Sequence, residues 1–327
     1  MEASPEGSQG REMGPLVVGI GYAALDYLGV VPRMPQFDDV ESVKPLKWLV
    51  LGGGLVATAL VVLSRLGVPV AYLGLLGDDQ EGVDVSRLRH QAGVRSPTTL
   101  VLVEAGTGRR AFISFHDRHP GFGLAPADCQ MIEQAKALHL DGWHPEIALP
   151  AARIARDAGV LVSLDAYTVS EGMEEWVSLS DVLIANEAFA CGYTGYRDLE
   201  KAANALCKEP ACSAEKLHRL PRPGKGSQRV AEPGSEVGGD DAGRERLFCR
   251  HPRGAFFAPG FTVDVVDTTG AGDAFHGAFL YGLSQGWDLA RTARFANAVG
   301  ALTCRRLGGR SSIPSLDEVE VFLERAL

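Results

Sequence analysis

Asp267-Thr268-Thr269-Gly270-Ala271-Gly272-Asp273, running into AFHGAFLYGL, decides how this chain is read. It ends a β-branched run, FTVDVVDTT (261–269), that predicts a strand. It opens an apolar segment in which Ala274, Ala278 and Tyr281 recur at helical spacing. Glycines at a strand-to-helix turn let the chain reverse sharply and let a ligand approach with no Cβ in the way. The unpaired amides of Ala271, Gly272 and Asp273 at such a helix start favour an anion. A carboxylate beside that anion is unfavourable unless a proton has to be removed there. A phosphate over the amides and Asp273 next to a nucleophilic hydroxyl together make a phosphoryl-transfer site.

Outward from this turn, strand-like apolar runs alternate with helical patterns. GPLVVGIG (14–21) reads as a strand, ATALVVLSRLG (57–67) as an amphipathic helix closed by Gly67, and VAYLGLLG (70–77) as the next strand. The alternation continues through EGVDVSRLRHQAG (81–93), AKALHLDG (135–142), PEIALPAARIARDAG (145–159), VLVSLDA (160–166) and SDVLIANE (180–187). This predicts an α/β fold, a parallel sheet covered by helices on both faces. Segments within 27–50 and 98–116 carry strand patterns with no helix between their halves, and Gly106-Thr107-Gly108 predicts a hairpin in the second.

The bulk properties narrow the class. With 327 residues, 46% apolar and 22% charged, the chain has the composition of a globular α/β protein. A net charge of −9 excludes non-specific nucleic-acid binding, which needs a basic surplus. The longest apolar run, 16–31, contains three glycines and Asp26, so no membrane span is expected. The first 14 residues read as a flexible polar tail without the apolar core of a signal peptide. Cysteines 129, 191, 207, 212, 249 and 304 form no CxxC pair, which favours free thiols and a cytoplasmic setting.

DTTGAGDAFHGAF resembles the C-terminal signature of the ribokinase-like (PfkB) carbohydrate kinases. The resemblance implies that Asp273 is the base and that Gly270, Ala271 and Gly272 form the anion hole. It implies one kinase domain over 15–327, whose strands within 27–50 and 98–116 make a small β-sheet lid over the sugar. In GIGYAALD, Asp26 matches the family's substrate-binding aspartate; a carboxylate at a strand end can accept bonds from vicinal hydroxyls. Gly52-Gly53-Gly54 with Arg65-Leu66-Gly67 matches a GGxxxN…ARLG element, so Gly53 and Gly54 border the sugar and Thr58 falls where the family has a sugar-binding asparagine.

On the nucleotide side, Asn186 matches the asparagine of an N-x-x-E element, but Phe189 stands at the glutamate position; the alternative for Asn186 is a strand-end turn. Asn297, on the helical stretch ARFANAVGALTCRRLGG (293–309), matches a wall of the adenine pocket or is an incidental residue of a core-packed helix. The implied cofactors are ATP and Mg²⁺, with room for a monovalent cation, and the implied partners are a sugar or polyol and a second copy meeting through the lid. Gly77-Asp78-Asp79 with Gly82 matches GDDxxG and reads as a helix-capping turn without chemistry. His116, His119, His139 and His144 have no zinc-ligand spacing; Arg109, Arg110, His116 and Arg118 sit where the lid would hang, so an anion on the substrate could meet them. No G-x-x-x-x-G-K-[ST] element exists, which excludes a P-loop kinase.

Residues 207–246 contain no Ile, Phe, Tyr, Trp or Met and are dense in Pro, Gly and charge, the composition of a loop or a disordered segment. The resemblance places a VVVTLGxxG strand beside the nucleotide here. Either the segment is divergent or the reading frame changes locally. Two other functions stay open: a nucleoside kinase of the same fold, holding a base against Phe112, Phe115 or Tyr27, and a non-catalytic sugar-binding protein.

Overall fold

The computed structural model describes residues 16–37, 41–77, 89–91, 95–116, 123–206, 248–249 and 260–326. In chain order the strands are β1 (Val17–Ile20), β2 (Ala24–Val31), β3 (Lys47–Gly53), β4 (Val70–Tyr72), β5 (Leu75–Gly77), β6 (Arg89–Gln91), β7 (Thr98–Glu104), β8 (Arg110–Phe115), β9 (Ala137–Leu140), β10 (Leu161–Ala166), β11 (Val182–Ala185) and β12 (Phe248–Cys249). The helices are α1 (Leu55–Arg65), α2 (Pro126–Gln134), α3 (Pro145–Asp157), α4 (Met173–Leu179), α5 (Glu187–Thr194), α6 (Leu199–Leu206), α7 (Ala271–Ser284), α8 (Leu289–Thr303) and α9 (Leu316–Arg325).

Among the described residues the main sheet runs β12-β11-β10-β9-β1-β4, parallel except for β12. Its strands β1, β9, β10 and β11 are buried along their whole length, as strands covered on both faces must be. One core lies between the sheet and α1, α7, α8 and α9; a second, on the other face, includes residues of α2 to α6. Helix α1 lies so close to β1 that a Cβ on Gly19 would sit 2.6 Å from a Val56 methyl.

The expected extra strands form a separate sheet, β3-β2-β7-β8. The Gly106 turn, at φ 80°, closes the β7–β8 hairpin. Leu28, Val101 and Val103 bury its inner face against Leu49, Leu51 and Leu307.

Several expected elements differ. FTVDVVDTT is not a strand: the Val266 and Asp267 amides donate to the Cys304 carbonyl beyond α8, so no ladder forms there. VAYLGLLG splits into β4 and β5, which belong to different sheets. The break lies at Gly74, where the Tyr72 ring occupies the space a Cβ would need. Of 81–93 only 89–91 are described, as β6 beside β5. The C-terminal helix stops at Thr303 rather than at Gly308-Gly309. Residues 1–14 and 207–246, Asp78, Asp79, Gly82, Arg118 and His119 lie outside the described residues.

Candidate active site

The C-terminal ends of the parallel strands, where open α/β sheets bind ligands, carry Gly21 after β1, Asp141 after β9, Asp165 on β10 and Asn186 after β11. The DTTGAGD turn meets them through α7. A Cβ on Gly277 would lie 2.4 Å from the Ala59 carbonyl, so α7 crosses α1 at closest approach there. Asp273 is one turn earlier on the same face of α7, which sets it beside the start of α1.

The turn itself is pinned. The Asp267 carboxylate, 1% exposed, accepts from the Thr269 amide at 2.9 Å, the Thr269 hydroxyl at 2.7 Å and the Gly308 amide at 2.8 Å. Gly270 caps α7 at φ 75°, ψ 3°, a left-handed conformation suited to glycine. It backs onto Gly309, whose Cα would be 2.7 Å from an added Cβ. The Ala271 amide turns to the Thr268 carbonyl at 3.3 Å, and the first helical bond runs from the Ala274 amide to the Gly270 carbonyl at 2.8 Å. The Gly272 and Asp273 amides thus stand ahead of that first bond, at the positive end of the helix dipole.

On the acceptor side, Gly53 and Gly54 make room. A Cβ on Gly53 would be 2.2 Å from the Asp26 carboxylate, and one on Gly54, at φ 95°, 2.4 Å from the Tyr22 carbonyl. Asp26 accepts no hydrogen bond from a described residue. Burial pushes its carboxyl up to about 6, with Arg310 pulling it down and Asp267 pushing it up. Thr58 is 2% exposed, and its hydroxyl accepts from Arg310 Nε at 3.2 Å. The Thr58 hydroxyl, expected to face sugar, is therefore engaged by the guanidinium.

Arg310 and Asp141 were not singled out in the sequence. Arg310 also donates from Nη2 to the Gly53 carbonyl, and its charge is felt by both Asp26 and Asp273. Asp141 accepts from the Tyr22, Trp143 and Val56 amides at 2.8, 3.1 and 3.4 Å, tying the end of β1 to the start of α1. Burial raises its carboxyl to about 6 against those bonds. An aspartate ending the apolar run ALHLD was a legible signal for it; Arg310 had none beyond following two glycines.

The residues expected on the nucleotide side are differently placed. Asn186 caps α5: its Oδ1 accepts from the Phe189 amide at 2.7 Å and its Nδ2 donates to the Tyr167 carbonyl at 3.0 Å. Phe189 is 1% exposed and stacks on Tyr193 at 5.5 Å, a core position that a glutamate could not fill. Asn297 is half-buried on α8, which meets the start of α7 through Gly300. Arg110, at the start of β8, donates to the Thr268 hydroxyl, so the small sheet touches the turn. His116 packs edge-on against Trp143 at 4.9 Å, and His144 caps α3. Behind the site, His276 Nε2 lies 3.3 Å from Asp165 Oδ1, and His139 Nδ1 lies 3.3 Å from the Ser163 hydroxyl. Burial lowers both imidazoles, His139 to about 4, so the Asp165 contact is a hydrogen bond from a neutral ring.

The profile of the pfkB family of carbohydrate kinases matches residues 15–212 and 243–316. The chain belongs to the pfkB family. An ATP-dependent ribose-1-phosphate kinase of Halopiger xanaduensis is 31% identical over 94% of this chain and 97% of its own length. An aminoimidazole riboside kinase of Salmonella typhimurium is 29% identical over 87% of this chain and 92% of its own. The ribokinase of Thermotoga maritima superposes with a TM-score of 0.70 at 22% identity, covering 95% of this chain and 99% of that one, a likeness of fold. The pfkB family match leaves 213–242 uncovered, within the stretch whose composition departs from the rest.

Proposed function

We propose that this pfkB-family carbohydrate kinase moves the γ-phosphoryl group of ATP to a hydroxyl of a sugar or sugar-like acceptor. The observation that carries the reading is the convergence of Asp26 and Asp273 on one guanidinium beside the start of α7. Asp26, without a hydrogen-bond donor among the described residues, is a natural acceptor for vicinal sugar hydroxyls, above a floor of Gly53 and Gly54. Asp273 takes the proton as the hydroxyl oxygen attacks the γ-phosphorus; the bond to the β-phosphate oxygen breaks and ADP leaves. The Gly270-Ala271-Gly272 turn forms the anion hole; with the Ala271 amide turned to the Thr268 carbonyl, the Gly272 and Asp273 amides at the start of α7 are the ones that stabilise charge on the transferring group. Asn186 and Asn297 serve the nucleotide side, Asn186 by fixing the loop between β11 and α5 and Asn297 by position on α8.

Mg²⁺, when bound, supplies charge neutralisation on the phosphates. That ion keeps water and phosphate ligands and would need few from the protein. ADP release from ATP, Mg²⁺ and a panel of pentoses, hexoses and polyols tests the reading; no acceptor-dependent ADP from any of them refutes it.

One observation favours a second acceptor class. Tyr22 stacks on Trp143 at 4.7 Å with His116 edge-on, an aromatic wall beside Asp141 that suits a nucleobase. Tyr27 does not join it, since it shares a ladder row with Val50 and adjoining residues of β2 alternate faces. Nucleosides added to the panel separate the two classes. The outer face of the small sheet carries Trp48, Val50 and Ile113, each about half exposed, and we assign it to a second copy of the chain.

A further inference from the structure

The loop between α8 and α9 is wedged between the two halves of the site. Gly308 packs on Leu51 of the small sheet, and Gly309 packs on Gly270 of the DTTGAGD turn. Arg310 emerges where the acceptor floor and that turn meet. Its side chain lies over Gly52, whose missing Cβ would be 2.3 Å from Nη1. Nε is fixed by the Thr58 hydroxyl and Nη2 by the Gly53 carbonyl. Two of the three nitrogens hold the fork in place, and Nη1 is left for other use.

Both direct partners of the guanidinium are neutral. Asp26 and Asp273 act on it from farther off, and burial is the largest influence on it. A buried cation without a directly bonded anion is costly. Asp26 stays charged while it accepts from hydroxyls and Asp273 is protonated only as the hydroxyl attacks, so both offset the cation from a distance and its directly bonded anion can come from the acceptor. A planar, fixed guanidinium fits an oxyanion in a way that an ammonium does not. We propose that Arg310 is a specificity-determining residue that reads an anionic group, a phosphate ester or a carboxylate, on the acceptor. This rests on the sugar-kinase reading above and narrows it to anionic sugars. The flanking aspartates would repel such a group, so the guanidinium is what makes its binding favourable.

The test compares each neutral sugar with its charged counterparts: ribose with ribose-1-phosphate, fructose with its phosphate esters, and glucose with gluconate. Steady-state kinetics and calorimetric binding without ATP are measured on wild type, Arg310→Gln and Arg310→Lys, with thermal unfolding confirming that each is folded. The proposal expects wild type to favour a charged acceptor. It expects Arg310→Gln to lower kcat/KM for that acceptor on the order of 10²-fold, the usual consequence of removing one member of a buried charge pair. The neutral sugar should lose far less, and Arg310→Lys should keep part of the preference. The phosphate and carboxylate arms say which oxyanion is read. Equal or better use of neutral sugars by wild type, or an equal loss for both classes in Arg310→Gln, overturns it and leaves Arg310 as a brace for Thr58 and Gly53. If no acceptor is phosphorylated, the kinase reading fails, while the calorimetric preference still decides the role of Arg310.

Discussion

Replacing Asp26 with asparagine should stabilise the empty protein while disabling acceptor binding. The side chains match in shape, so the change removes charge more than volume. In the folded protein burial raises the Asp26 carboxyl from the ordinary 3.8 to about 6. At about 1.4 kcal/mol per pH unit this would be about 3 kcal/mol for a fully enclosed group, and partial exposure reduces it to about 1–2 kcal/mol. The sign follows from linkage. The folded protein holds the Asp26 proton up to about pH 6, whereas the unfolded chain releases it near 3.8. The stability that Asp26 contributes is therefore fully present below pH 3.8 and is lost as pH rises through 6. Asparagine never ionises, so the variant should match wild type near pH 4 and gain its advantage above pH 7, a rise in Tm of about 2–4 °C. Thermal unfolding without ligands at both pH values checks this. Sugar affinity of the same variant, by calorimetry, should fall at least about tenfold, because asparagine keeps one acceptor oxygen and turns an amide donor toward the second buried hydroxyl. A variant less stable than wild type at pH 8, or a difference that does not change with pH, refutes the reasoning.

Three further outcomes are expected. Asp273→Asn should lower turnover by about 10²–10⁴-fold with acceptor affinity largely kept; ADP formation within a few-fold of wild type would remove Asp273 from the base role. Gly270→Ala places a Cβ 2.7 Å from Gly309 Cα at φ 75°. Left-handed strain alone costs roughly 1–2 kcal/mol, so both Tm and turnover should drop, and an unchanged Tm would show that the turn relaxes freely. Trp48→Asp should convert a dimer to a monomer in light scattering, and a wild type already monomeric at micromolar concentration removes the assigned partner.

What the sequence disclosed follows the range of the interactions concerned. The DTTGAGD turn was legible because its cause is local: Gly270 needs positive φ, and the turn opens a helix. The β7–β8 hairpin was legible for the same reason, through Gly106. The FTVDVV strand was misread because a strand exists only with a partner, and these amides find a helix end instead. The break at Gly74 depends on where the Tyr72 ring lies, anchored by a 2.6 Å bond to the Gly21 carbonyl, which no local pattern encodes. Arg310 was the least legible, since its place depends on glycines at 52, 270, 308 and 309 packing across the whole chain.

The two departures from the family's residues, Thr58 and Phe189, have opposite consequences. At Thr58 the hydroxyl is held by Arg310, so on the proposed reading the acceptor pocket presents a fixed cation beside it. At Phe189 the missing carboxylate is replaced by core packing, and the neighbouring Asn186 amide is spent on capping α5. The proposed roles therefore place selectivity with the acceptor, where Arg310 is charged and held. They leave grip on the nucleotide phosphates to the amides at the start of α7, which read an anion without reading what carries it.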